Sequence, residues 1–226
     1  MGGFMADEGQ AGFSVVRTSG PRMLGGVLRR VVTLAIDGVN GMAGAKSAAA
    51  AALERTGDVE GAIDQLVNQH VGMGSAQGLL TNIGGFVTMA VTAPANLAGL
   101  AVVQARMVAA IAHLRGYDVD DERVRTAIAM CLVADGLEQT LARRDLPHSP
   151  MVVATAPVID PDLGAQISDR IGSELLTRLT GKKLALVFLA KRVPVVGGGV
   201  GAAFDGWDTW TIGRFAREEL VTRRRG

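Results

Sequence analysis

Between Gln65 and Ala105 the chain carries no Asp, Glu, Lys or Arg. So long an uncharged segment must leave water, either into a protein core or into a bilayer, which needs about 20 predominantly apolar residues to cross. The residues argue against crossing. Gln69, His70, Gln77, Asn82 and Asn96 dilute the run, glycines are frequent, and Pro94 sits near its end. Alanine and glycine also gain far less from lipid than leucine does. A second apolar run, Leu184 to Phe204, has Lys191 and Arg192 in its middle. Each would cost about 2.5–3.5 kcal/mol at the centre of a spanning helix. The sequence therefore predicts a chain that does not span a membrane.

Hydrophobic residues make up 48% of the chain but aromatics only 4%, and there are 30 glycines, so the apolar mass is small and aliphatic. That composition excludes a disordered chain. A balance of 23 basic against 22 acidic groups excludes binding to nucleic acid by bulk charge attraction. One cysteine, Cys131, excludes a disulfide scaffold and a cysteine-built metal site. Residues 1–20 show no basic start followed by an apolar core, so they predict a flexible tail and no export signal. Residues 21–226 are expected to form a single helical domain in the cytoplasm.

Helical spacing dominates that region. Leu24, Val27, Leu28, Val31, Leu34 and Ala35 repeat at three- and four-residue intervals, and residues 43–54 are a run of alanines ending near Thr56-Gly57. Asp58 caps a helix expected to break at Gly72 and Gly74, and Pro94 suits the first turn of a helix running to Arg115 and stopping at Gly116. Asp120, Asp121 and Glu122 open a helix reaching about Arg143. Asp160-Pro161-Asp162 opens one carrying Leu163, Ile167, Ile171, Leu175 and Leu179, with a stop at Gly181; a last helix covers roughly 202–222. Only Met151–Ala154 and Val193–Val196 cluster β-branched residues. The expected fold is all-α: a compact bundle of about eight or nine helices around the apolar helix from Pro94.

Chemistry-bearing patterns are few. Gly197, Gly199 and Ala202 fit the spacing of a dinucleotide loop, but no strand–helix–strand repeat surrounds them. His70, His113 and His148 lack metal-ligand spacing, and no cofactor or metal is implied. Cys131 lies on an apolar stripe with Val124, Ala127, Ile128 and Ala134, which suits a buried thiol. Asp205 and Asp208 flank Trp207. Arg106 is the first charge after the uncharged run and shares a helix face with Asn96, Gly99 and His113. That face is either the wet side of a surface helix or an anion site. In the second case Arg106 needs an acidic or anionic partner, with Asp118 and Asp205 the candidates.

Two stretches carry a family resemblance. Gly78 to Asp118 contains a Gly84-Gly85 pair, a helix opened at Pro94, Arg106 followed by small residues, and a closing Gly116-Tyr117-Asp118. Val193 to Phe215 contains Pro194, Gly197, Gly201 and an acidic position at Asp205. In order and spacing both resemble the motifs of the EcsC family, named for its link to an ABC-transporter operon. The family has no agreed catalytic residues, so the resemblance implies none here. The ligand or anion candidates are Arg106, His113, Tyr117, Asp118 and Asp205; Gly84, Gly85, Pro94, Gly116, Pro194, Gly197 and Gly201 are motif positions of structural kind.

The functional expectation is a non-enzymatic helical protein that associates with a membrane surface, a lipid or a membrane protein. A peripheral place on the inner face would draw on Arg214, Arg217 and Arg223 to Arg225 for attraction to anionic lipid. An interaction module without a ligand and an enzyme with a pocket around Arg106 are the alternatives. Convergence of Arg106, Tyr117 and Asp205 in one cleft would favour a ligand or a reaction.

Overall fold

The computed structural model describes residues 21–39, 41–83, 85–142, 146–158, 160–190 and 197–223, with no side chain described at 21–22, 77–83, 85–97, 179–180, 182–190 and 197–200. Gly84, Pro194, the 1–20 tail, the Val193–Val196 cluster, Arg224 and Arg225 lie outside the described residues.

Nine helices and one two-stranded hairpin make up the described residues. In chain order they are α1 (Pro21–Asp37), β1 (Gly38–Val39), β2 (Met42–Ala43), α2 (Ala45–Thr56), α3 (Val59–Ile83), α4 (Gly85–Leu114), α5 (Glu122–Cys131), α6 (Leu137–Ala142), α7 (Pro150–Thr155), α8 (Pro161–Ala190) and α9 (Gly197–Glu219). The fold is all-α around a central apolar helix. From Leu100 to Ala112 every residue of α4 is buried, as expected of a helix apolar around most of its circumference. Helices α1, α2, α3, α5 and α9 pack around it, while α1 pairs with α8 and α3 with α9.

Local signals explain most helix starts. The Asp58 carboxylate accepts from the Gly61 N–H at 2.8 Å, Asp121 caps α5 through the Arg123 N–H, and Asp160 accepts from the Asp162 N–H at 2.9 Å. Each satisfies a donor that a helix start would otherwise leave unpaired. In α2, Ala45, Ala48, Ala49 and Ala52 form the buried stripe, and the chain leaves the helix through Gly57 at φ 79°.

Several expected boundaries differ. Helix α3 continues through Gly72 and Gly74. A Cβ at Gly74 would lie 2.7 Å from Thr209 Oγ1, so this glycine lets α3 and α9 approach rather than ending a helix. Pro94 lies inside α4, which opens at Gly85. An interior proline costs roughly 3 kcal/mol, and the apolar sequence on both sides carries the helix past it. Helix α8 likewise passes Gly181 to reach Ala190. The helix expected from Asp120 to Arg143 divides into α5 and α6. The N–H groups of Leu132, Val133 and Ala134 bond three residues back, and Gly136 takes φ 87°. The segment 151–154 lies in α7, and the hairpin at 38–43 has no counterpart in the sequence reading.

The α1–α8 crossing is backbone against backbone. A Cβ on Gly172 would meet the Leu24 carbonyl oxygen at 2.8 Å, whereas one on Gly181 of the same helix meets nothing within 4 Å. Gly172→Ala is therefore expected to destabilise the fold by about 1–3 kcal/mol, and Gly181→Ala to stabilise it by up to about 1 kcal/mol. Thermal unfolding of the two variants checks the pair; equal shifts would remove the crossing as the cause.

Candidate functional site

Three polar or amphipathic arrangements stand out from the aliphatic core. The first is Arg106 on α4, which is only 6% exposed. Its Nε–H donates to the Ala43 carbonyl at 2.6 Å and its Nη1 lies 2.9 Å from His70 Nε2. His70, on α3, is fully buried, and its Nδ1 lies 2.7 Å from the Leu66 carbonyl. A carbonyl can only accept and a guanidinium can only donate, so the His70 proton belongs on Nδ1 and Nε2 accepts. Arg106 thus ties the hairpin, α3 and α4 together, and no carboxylate pairs with it among the described residues. The Asp118 carboxylate accepts from the Asp120 N–H at 3.0 Å, and the Asp205 backbone carbonyl accepts from the Thr209 hydroxyl at 2.7 Å. The periodicity could place Arg106 on a face but not say what lies across from it.

The same geometry sets the charge state. Burial pushes the His70 imidazole from the usual 6.5 down to about 4; the bond to Leu66 opposes this and the Arg106 charge adds to it. Burial also pulls Arg106 below its ordinary value. Between pH 6.5 and 4 the unfolded chain takes up a proton that the folded chain refuses. Stability is therefore complete above pH 6.5 and falls as the pH drops through this window, by about 3 kcal/mol in all. Urea unfolding at pH 7 and pH 4.5 should show this slope in the wild type and lose this component in His70→Gln; identical slopes would contradict it.

The second arrangement is the corner after α4. The Gly116 N–H bonds the His113 carbonyl and the Tyr117 N–H bonds the Ala112 carbonyl, each at 3.0 Å, while Gly116 takes φ 85°. This is a Schellman ending, which calls for glycine at that position. Tyr117 then turns inward: it is 2% exposed and its hydroxyl donates to the Val221 carbonyl at 2.9 Å. The Arg223 N–H bonds the Arg115 carbonyl at 2.9 Å, Arg115 Nη1 donates to Thr222 at 2.9 Å, and the Arg223 guanidinium sits 5.7 Å from the Tyr117 ring centroid. The Gly-Tyr-Asp motif is a latch for the segment after α9. Burial raises the Tyr117 phenol, against the pull of Arg223 and Arg115. Beside the latch, Lys46, His113, Gly116, Tyr117 and Asp118 line an open cleft of about 270 Å³. Lys46 pairs there with Asp120.

The third is the outer face of α9. Phe204, Trp207 and Trp210 are 52%, 66% and 38% exposed, and with Arg214 they fall within about a third of the helix circumference. The two indoles are 5.2 Å apart, and the Arg214 guanidinium lies 5.1 Å from the Trp210 ring centroid. On the inner side of α9, buried Gln104 donates to Asp208 at 3.0 Å and to Thr209 at 3.3 Å. Arg217 is held by Glu60 at 2.8 Å and by Asp64, so it is not the free lipid-facing cation the sequence suggested.

The structure thus gathers His113, Tyr117 and Asp118 in one cleft and leaves Arg106 and Asp205 out of its lining. Gly85 and Gly197 open α4 and α9, and Gly201 is buried on α9. His70 and the aromatic face of α9 were missed. Their signals were a lone histidine in the uncharged run and three aromatics spaced three apart. Cys131 is fully buried and its thiol is pushed up by burial. Among the described residues no three His, Cys, Asp or Glu side chains gather as metal ligands, and no helix is long and apolar enough to cross a membrane.

A core helix apolar around most of its circumference, a glycine-ended latch and a glycine-opened final helix define an all-α protein built on two small-residue motifs. Those motifs fall within residues 44–224, which match the model of the EcsC protein family, and the chain belongs to that family. No curated protein and no solved structure matches it.

Proposed function

We propose that this protein docks peripherally on an anionic membrane surface, on the cytoplasmic face, through the outer side of α9. The carrying observation is that both tryptophans of a chain with only 4% aromatic residues are exposed on one helix face beside Phe204 and Arg214. Amphipathic rings with a cation at their edge suit the boundary between lipid headgroups and acyl chains. Arg214, which pairs with the exposed Glu218 at 3.8 Å, adds an attraction of at most about 1 kcal/mol toward anionic lipid. With Arg217 already engaged by two carboxylates, ring burial dominates over charge, so binding should weaken with salt without vanishing. Among the described residues the cleft that Tyr117 lines does not include Arg106 or Asp205, which lends the enzymatic alternative no support.

Flotation with liposomes of phosphatidylglycerol and phosphatidylcholine, against phosphatidylcholine alone, tests the reading. The protein should float with the anionic liposomes and be released by alkaline carbonate. Failure to float with either would overturn the proposal, and retention in carbonate would replace surface docking with insertion.

A further inference from the structure

Helix α1 packs on α4 and α8 through one side, where Leu28, Val32 and Ala35 are buried, and leaves an apolar stripe on the other. Met23 and Val27 are 57% and 56% exposed. At 100° per residue they share a strip about 60° wide with exposed Arg30 and half-buried Leu34. Gly26 borders the stripe, and a Cβ built there meets nothing within 4 Å. Arg29 and Arg30 are both exposed, and neither pairs with a carboxylate among the described residues. The sequence that leads into α1 complements this face. Residues 1–20 hold two of the six phenylalanines, Phe4 and Phe13, and Phe13 is followed by Val15 and Val16. Asp7 and Glu8 are the two acids of the same segment. Gly20 and Pro21, a pair that suits a turn, stand where the chain enters the helix. Folded back from there, the six residues from Pro21 to Val15 reach about 20 Å, while Val27 is about 9 Å along the helix axis. The spacings agree as well. Phe13 and Val15, on one side of an extended chain, would stand about 7 Å apart, against about 6 Å for Met23 and Val27.

We infer that residues 7–16 of this chain dock back onto the outer stripe of α1, with Phe13 and Val15 over Met23 and Val27 and with Asp7 and Glu8 beside Arg29 and Arg30. Docking takes exposed apolar side chains on both partners out of water and gives the two arginines opposite charges. Tethering favours this occupant over any other, because a segment joined to the helix by a few residues binds at a high effective concentration. The stripe is on a different helix from the aromatic face of α9, so it stands or falls independently of membrane docking.

Limited trypsin digestion of the full chain, with the cut after Arg17 followed by mass spectrometry, tests the docking. Arg17 adjoins the docked residues, so cleavage there waits for the segment to lift off. Val27→Asp places a charge in the stripe at an exposed position and should speed that cut by about tenfold or more. Val152→Asp places the same charge on a comparably exposed valine of α7 and should leave the rate unchanged. Asp7→Asn/Glu8→Gln should speed the cut by a smaller factor that disappears at high salt. A second measurement reads proximity directly. Mild oxidation should form an intrachain disulfide in Val15→Cys/Val27→Cys and not in Val15→Cys/Val152→Cys, with the native Cys131 buried and out of reach. Equal cleavage rates in the wild type and Val27→Asp, or equal cross-linking of the two double variants, would overturn the inference. So would a dimer in light scattering that Val27→Asp dissolves, which assigns the stripe to a second copy. Loss of binding to phosphatidylglycerol vesicles in Val27→Asp would overturn it in favour of lipid on α1.

Discussion

Arg106→Ala is expected to destabilise the protein by about 3–5 kcal/mol. The change removes a long side chain from a filled interior and leaves two acceptors, His70 Nε2 and the Ala43 carbonyl, without their donor. Hydrogen bonds to charged groups contribute about 1.5–3 kcal/mol each, and a large-to-small change in a core adds a cavity term. Stability measured by urea unfolding at pH 7 should show the loss. A decrease below about 1 kcal/mol would mean that the guanidinium holds nothing together. The pairing itself is read by a double-mutant cycle with His70→Phe. Because the imidazole is the group left unsatisfied, removing it in the Arg106→Ala background should cost much less than removing it from the wild type. Strict additivity would contradict the contact.

The second large effect concerns lipid. Trp207→Ala/Trp210→Ala should lower partitioning onto anionic vesicles roughly a hundredfold, from about 1.5 kcal/mol for each ring that leaves water. The rings are exposed in the free protein, so unfolding stability should change by less than about 1 kcal/mol. Unchanged partitioning with an intact fold would remove α9 as the docking face. Arg214→Gln should have a smaller effect that disappears at high salt.

How far these features were readable from the residues depended on whether their cause was local. Asp58, Asp121 and Asp160 cap helices through donors two or three residues away, and a sequence shows such pairs directly. The alanine run of α2 and the broad apolar surface of α4 were equally plain, and so was the glycine that ends α4. Gly72, Gly74, Pro94 and Gly181 misled because each is a breaker by intrinsic preference. Whether a helix stops there is decided by what packs on it, as Thr209 does against Gly74. The division of α5 from α6 was missed for the opposite reason: an apolar stripe reads as continuous, while Gly136 in the left-handed region breaks it.

The candidate site was legible only in part. Arg106 was identifiable as a charge out of place, yet its partner His70 is 36 residues earlier on another helix, and no periodicity connects the two. The cleft of His113, Tyr117 and Asp118 was readable as a motif because the corner is built from consecutive residues; Lys46 joins it through tertiary packing alone. On α9, the acids flanking Trp207 drew attention from the aromatics, although Phe204, Trp207 and Trp210 recur every three residues.

The central claim is that the outer face of α9 meets lipid, and tryptophan fluorescence tests it most directly. The chain has two tryptophans, Trp207 and Trp210, and both lie on that face. Titration with phosphatidylglycerol vesicles should shift the emission to shorter wavelength, protect it from acrylamide, and expose it to quenching by brominated acyl chains. An emission maximum and acrylamide quenching that stay unchanged at saturating lipid would contradict the account.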